Sequence, residues 1–451
     1  MVNLVDLLND AEESLDTLVG LHRDLVRIPS VNTGVMPTGN ETDVAEYAKT
    51  WLNQEQIEAD ILESAPGRGN LIAKLKGSSE ENKLLFMSHL DVVPVEDYGK
   101  WTYEPFGAVL SNGRIYGRGA SDCKGLLACQ MMALKLLKNH NVQLTDNLVL
   151  ASGADEESGG RYGFGWLAEN HPEKIRATMA VNEGGGTHIN IAGTTTYLLG
   201  IGEKGRLEVK LSVKGTSAHA STPWLGENAS FKVAKVLSAL EAYPASRDTS
   251  ADIFKYLPSL AVEHKITPNN VDDVIEEISR NNPELSSILK ALSRMTVTPT
   301  MIEGGIKSNS IPEMCEITCD IRTLPHQNEE YVAKELADIL KEVEGVDVDI
   351  DYMAVPNRSP YETEFADSIK EATRVSLNRD DLNWAPEIAT GFTDSRFLRN
   401  LGTTTYGFSG SHPDDDPLLT HAHGTDESIG VKSLLNGTKV MLALAHRLLV
   451  S

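Results

Sequence analysis

From Asn70 to Val181 the chain repeats one pattern, a short, mostly apolar run of strand length followed by a longer stretch with apolar residues at helical spacing. The runs are Asn70 to Leu75, Leu84 to Met87, Asn147 to Ala151 and Ala177 to Val181. Lys124 to Lys138 and the segment after Gly163 read as helices between them. Strands buried on both faces need no polar positions, so the alternation predicts an α/β domain with a mostly parallel sheet flanked by helices. Ser111-Asn112-Gly113-Arg114, between Leu110 and Tyr116, predicts a hairpin turn.

At Arg206 the pattern changes. Arg206 to Lys214 alternates polar and apolar residues, as a strand with one wet face does. Beyond it the spacing predicts helices at Ala229 to Tyr243, Val271 to Arg280, Glu284 to Leu292 and Glu329 to Val343. Strands are expected at Thr296 to Glu303 and Glu313 to Arg322, which together make an α+β layer. After Tyr361 the first pattern returns, with a helix through Val375, a strand at Thr403 to Phe408 and a closing helix from Glu427 to Leu449. The expected division is a larger domain in two parts, residues 1–204 and 357–451, with an inserted α+β domain at 205–356. A length of 451 residues fits this, because single cores stop growing at roughly 250 to 300 residues.

Composition removes several classes. With 41 basic against 65 acidic side chains the net charge is -24, and the charges are dispersed, so neither nucleic acid nor an anionic membrane is expected as a partner. Met1 to Gly20 reads as an acidic amphipathic helix, without the basic start and cleavage site of a secretory signal. No apolar run reaches the roughly 20 residues needed to span a bilayer. The expected location is the cytoplasm. The four cysteines, Cys123, Cys129, Cys315 and Cys319, include no Cys-x-x-Cys pair, which predicts small buried hydrophobes rather than disulfides or a thiolate zinc site.

The chemistry gathers where strands end. His89 and Asp91 follow the run Leu84 to Met87 two residues apart, a spacing that suits a metal ligand and the carboxylate that orients it. Asp122 sits in the glycine-rich loop Gly117 to Gly125, just before a helix. Asp155-Glu156-Glu157 follows the run ending at Ala151; adjacent acids repel unless a cation lies between them, and one could bind metal while another acts as general base. Glu183 follows the run ending at Val181, and His421-Ala422-His423 precedes the closing helix, where motif position favours His423. Taken singly, each fits a solvated loop. Together they put His89, Asp122, Glu157, Glu183 and His423 on the carboxyl edge of one sheet, where open α/β sheets bind ligands. Nitrogen and oxygen donors without thiolate suit catalytic zinc, with cobalt or manganese as alternatives.

These segments resemble the zinc-dependent aminoacylase, carboxypeptidase G and succinyl-diaminopimelate desuccinylase family of amidohydrolases. The resemblance covers nearly the whole chain and is most specific at Ser88 to Pro94, Tyr116 to Gly125, Asp155 to Gly159 and Asn309 to Arg322. It implies a metallopeptidase, deacylase or dipeptidase that cleaves an amide bond next to a free carboxylate. Asp122 would bridge two metal ions, His89 and Glu183 completing one site and Glu157 and His423 the other. Asp91 would orient His89, and Glu156 would be the base that deprotonates a metal-bridging water. The insertion would be a lid and dimerisation domain whose His219, in Gly215 to Ser221, reaches the partner subunit's site in a homodimer. Asn309, Arg322 and Gly391 match positions that hold the substrate carboxylate. Cys123 stands where a methionine is frequent and Asn182 where an aspartate is frequent, and relatives lead us to expect a cis peptide at Asp122-Cys123. The alternatives are a dizinc aminopeptidase and a catalytically inactive binding protein of the same fold.

Overall fold

The computed structural model describes residues 3–191, 193–263 and 265–450. Its large sheet is mixed and has the order Ala59–Glu63, Gly69–Leu75, Asn147–Gly153, Asn82–His89, Met179–Asn182, Thr404–Gly407, Thr194–Glu203 and Asn357–Arg358. Leu382–Ala389 and His188–Ile191 also pair with Thr194–Glu203. The four central strands, ending at Gly153, His89, Asn182 and Gly407, are parallel. The expected parallel sheet is thus the middle of a larger one whose outer pairs, apart from Leu382–Ala389, are antiparallel.

Burial on both sides of the pleat explains why the central runs carry few polar positions. Leu84, Phe86, Leu148 and Leu150 face the helices Lys124–Asn139 and Val431–Leu449. Leu85, Met87, Val149 and Ala151 face the other way, onto Phe164–Asn170 and Ser395–Asn400. Both faces are covered, and each fully buried side chain of this kind stabilises by about 1.5–3 kcal/mol.

The hairpin is present as Val109–Ser111 and Arg114–Tyr116. Asn112 and Gly113 both adopt positive φ, as a two-residue turn that matches the strand twist requires. A third strand, Ser428–Gly430, joins it, so the closing helix starts at Val431 rather than at Glu427. The first helix is two, Leu4–Glu13 and Leu15–Val26, divided at Ser14.

Thr296–Gly304, Met314–Thr323, Gly205–Lys214 and Val346–Ala354 form a separate antiparallel sheet in that order. Leu207, Val209, Leu211 and Val213, with Ile317, Cys319 and Ile321, pack one face against Ala229–Glu241 and Glu329–Leu340. The segment from Ala251 to Leu292, including helices Val271–Ser279 and Pro283–Leu292, instead adds Ile253, Leu257, Val271 and Leu289 to the core of the large sheet. The chain leaves the large sheet after Glu203 and returns at Asn357, and these two residues pair, so both crossings lie side by side. Among the described residues no helix is long and apolar enough to cross a membrane.

Candidate metal centre

The register sets His89 opposite Gly153 and Phe86 opposite Val181, so neighbouring parallel strands end at nearly the same height. His89 closes its strand, and Glu156, Glu157 and Glu183 lie just past the ends of theirs. His89 Nε2 is 2.9 Å from Asp122 Oδ1 and 3.6 Å from Glu183 Oε1. On the other side of Asp122, His423 Nε2 is 3.1 Å from Oδ2 and 3.1 Å from Glu157 Oε2. One carboxylate therefore stands between two imidazoles, each accompanied by a glutamate. The structure brings together all five residues expected to hold metal. His421 is not among them, since its Nδ1 lies 3.2 Å from the Thr425 carbonyl in an exposed turn. The Asp122-Cys123 peptide is cis.

Asp91 is fully buried, and its role is wider than the sequence implied. The nearest partner of His89 Nδ1 is the Asp91 backbone carbonyl at 3.0 Å, with the carboxylate at 3.4 Å. That carboxylate also accepts the backbone N–H groups of Glu156 and Glu157, each at 3.1 Å, and the Asn32 side-chain amide at 2.8 Å. One buried acid thus fixes a histidine and the loop of the two glutamates. Asp155 turns that loop with a φ of 66°, uncommon for a non-glycine residue, and is pinned by Arg68 at 3.3 Å and by Asn32.

The electrostatics are those of acids crowded out of water. Burial, then the charge of Asp122, pushes Glu183 up to about 7. Burial and Glu183 push Glu156 well above the carboxylate range, and burial raises Glu157. Burial works against charge on Asp122 too, yet hydrogen bonds with His423 and His89 hold it below its usual value. His423 is raised to about 10 by Asp122 and Glu157. Four carboxylates, Asp122, Glu156, Glu157 and Glu183, and two imidazoles gathered at one sheet edge are a donor set for hard or borderline divalent cations, which would offset the excess negative charge.

Three functional features were not assigned from the sequence. Glu427, 1% exposed, accepts the N–H groups of Gly119, Ser121 and Asp122 and pairs with Arg118 at 2.6 Å. Arg118 in turn donates to the His423 carbonyl at 3.0 Å, so one ion pair sets the loops of Asp122 and His423. Asn32 is the second, through its contacts with Asp91 and Asp155. The third is Asp394, buried with no hydrogen-bond partner on either oxygen and pushed up to about 8 by burial.

The four residues expected to handle substrate fall into two pairs. Arg322 is held by Asp320 and donates to the Thr390 carbonyl at 3.0 Å, which brings it to the turn containing Gly391. His219 and Asn309 are exposed on adjoining lid loops, joined by Ala220 N–H donating to the Asn309 carbonyl at 3.0 Å.

A parallel sheet edge carrying this donor cluster, with a second sheet inserted beside it, defines a metallohydrolase architecture. Residues 85–447 match the model of peptidase family M20/M25/M40, and the chain belongs to that family. It is a metal-dependent hydrolase. A probable succinyl-diaminopimelate desuccinylase from Staphylococcus aureus strain Mu50 is 25% identical over 368 residues, 81% of this chain and 83% of that protein. The M20 family metallo-carboxypeptidase Sso-CP2 from Sulfolobus solfataricus superposes with a TM-score of 0.71 at 21% identity, covering 96% of this chain and 98% of that one. The YXEP protein of Bacillus subtilis, described as a dinuclear metal binding peptidase, superposes with a TM-score of 0.61 at 15% identity over 96% and 98%.

Proposed function

We propose that the chain hydrolyses an amide bond next to a free carboxylate, in N-acyl amino acids or short peptides, with two divalent cations, zinc in the first instance. The observation that carries this reading is the position of Asp122 between His89 and His423. In this assignment Asp122 would be shared by the two cations, with His89 and Glu183 holding one and Glu157 and His423 the other. Cobalt or manganese would be accepted by the same donors. The relatives that the chain resembles, a probable desuccinylase, a carboxypeptidase and a dinuclear metal binding peptidase, support this reading.

When bound, such cations polarise the scissile carbonyl and bring the pKa of an attacking water toward neutrality. Glu156 takes the proton of that water and passes it to the leaving amine nitrogen. Its raised proton affinity is the direction a base working near neutral pH needs. Asp91 keeps Glu156 and His89 in register with each other. Arg322, beside the Gly391 turn, offers the substrate carboxylate the guanidinium N–H groups that Asp320 and Thr390 leave free, and Asn309, on the loop next to His219, is assigned to the same carboxylate. His219 stabilises the oxyanion of the partner subunit's site.

The chain acts as a homodimer in this reading. Strand Thr296–Gly304 is a free edge of the lid sheet and exposes Met301 and Ile302, followed by Ile306 at 99% exposure. Trp224, Leu225 and Phe231 are exposed on the same domain. Unpaired strand edges bearing apolar side chains invite pairing with a second copy.

Hydrolysis of an N-acyl amino acid, its C-terminal amide and a free-amine dipeptide amide tests the substrate class. We expect turnover of the first and its loss when the carboxylate is amidated. A requirement for a free amine with indifference to the carboxylate would instead establish a dizinc aminopeptidase.

A further inference from the structure

Cys123 follows Asp122 in the glycine-rich loop and is 1% exposed. Its Sγ, a ring nitrogen of His89 and a carboxylate oxygen of Glu183 all lie within 4.8 Å of one another. The same residue and Glu183 also line one small cavity of about 100 Å³, together with Ser121, Thr187 and Ser409. The other cysteines are placed differently. Cys129 donates to the Leu434 carbonyl inside the helical layer, and Cys315 and Cys319 belong to the lid core.

We propose that Cys123 supplies a thiolate donor to the cation assigned above to His89 and Glu183. One of the two metal positions then carries a sulfur that the nitrogen and oxygen donors of the other lack. The inference rests on the metal reading of the site. Its support is geometric, because sulfur and nitrogen donors on one tetrahedral zinc, with bonds of about 2.3 and 2.0 Å, stand about 3.5 Å apart. Every edge of the Cys123, His89 and Glu183 triangle is at most about 1.3 Å longer than that, a gap within reach of side-chain adjustment.

On binding, the S–H proton passes to solvent and a sulfur–metal bond forms, so the centre gains one negative charge. A thiolate is a soft donor, which favours zinc over manganese at this position and makes the two positions chemically unequal. The position of His423 and Glu157, without sulfur, keeps the stronger Lewis acid. A methionine here would offer only a thioether, which is neutral.

X-ray absorption at the zinc edge of the fully loaded protein tests this. We expect one sulfur scatterer at about 2.3 Å beside nitrogen and oxygen at about 2.0–2.2 Å. The sulfur shell should vanish in both Cys123→Ser and Cys123→Ala, which retain His89, Asp122 and Glu183. Cobalt-loaded protein should show a near-ultraviolet sulfur-to-cobalt band that both variants lose. Bound zinc with only nitrogen and oxygen neighbours in the unaltered protein would overturn the proposal while leaving the metal reading intact. Sulfur persisting in both variants would overturn it too. Protein that binds no zinc at all would remove the metal reading and this inference with it.

Discussion

Glu156 and Glu157 are sequence neighbours to which the proposed function gives separate tasks, and the difference lies in where each carboxylate meets a partner. Glu157 lies 3.1 Å from His423, whereas Glu156 faces the buried acids Glu183 and Asp394. Glu156→Gln should therefore lower kcat by at least about 100-fold while leaving metal content unchanged; near-normal kcat would remove Glu156 from the chemistry. Asp91→Ala should weaken metal affinity by about 10- to 100-fold, because outer partners of a metal histidine fix its ring orientation. Chelator competition reads that change. Of the proposed ligands, His89, Glu157 and Glu183 were legible because each lies at or beyond the end of a strong apolar run, and Asp122 and His423 because each stands in a loop that precedes a helix and matches a family motif. Glu427 was not, since its partner Arg118 is 309 residues away and no local pattern marks the pair. Asp394 was hidden for a similar reason, as only the fold buries it.

Elements were legible where the pattern was pure. The central strands and the helix after Asp122 stand close to where periodicity put them. Thr194–Glu203 went unpredicted because Gly200 and Gly202 dilute its apolar run, and Leu382–Ala389 because Pro386 removes a ladder donor. The strand Ser428–Gly430 is too short to show a period at all, yet it ties the His423 loop to the hairpin. At this scale the lid edge makes a prediction. Met301→Lys with Ile302→Lys adds charge to an unpaired strand, so sedimentation should report monomers. Because His219 is assigned to the partner's site, the monomer should also lose turnover by at least about 100-fold. A fully active monomer would contradict the shared site.

Over the whole molecule, metal, proton and stability are linked. Glu183 is raised from 4.5 to about 7 in the fold, so its contribution to stability is complete below about 4.5 and is lost as pH rises through about 7. His423, raised from 6.5 to about 10, contributes fully below about 6.5 and loses that contribution as pH rises toward 10. Metal needs both groups deprotonated, so it binds more tightly over the same range. Stripped protein should lose thermal stability between about pH 5 and about pH 8 while loaded protein keeps it, and the gap between their melting temperatures should widen. A gap that narrows would show that these residues are not where the cation acts. The expected domain division of the sequence missed how Ala251 to Leu292 folds back on the large sheet, since helical spacing reports that a face is buried and not against which sheet.

The central claim is that two cations share Asp122, one with His89 and Glu183 and one with Glu157 and His423. Elemental analysis of zinc-saturated, dialysed protein tests it most directly, alongside His89→Ala, His423→Ala and Asp122→Ala. We predict two equivalents per chain in the unaltered protein, about one in each histidine variant and fewer than one without Asp122. No bound metal in the unaltered protein, or two equivalents retained in all three variants, would contradict the account.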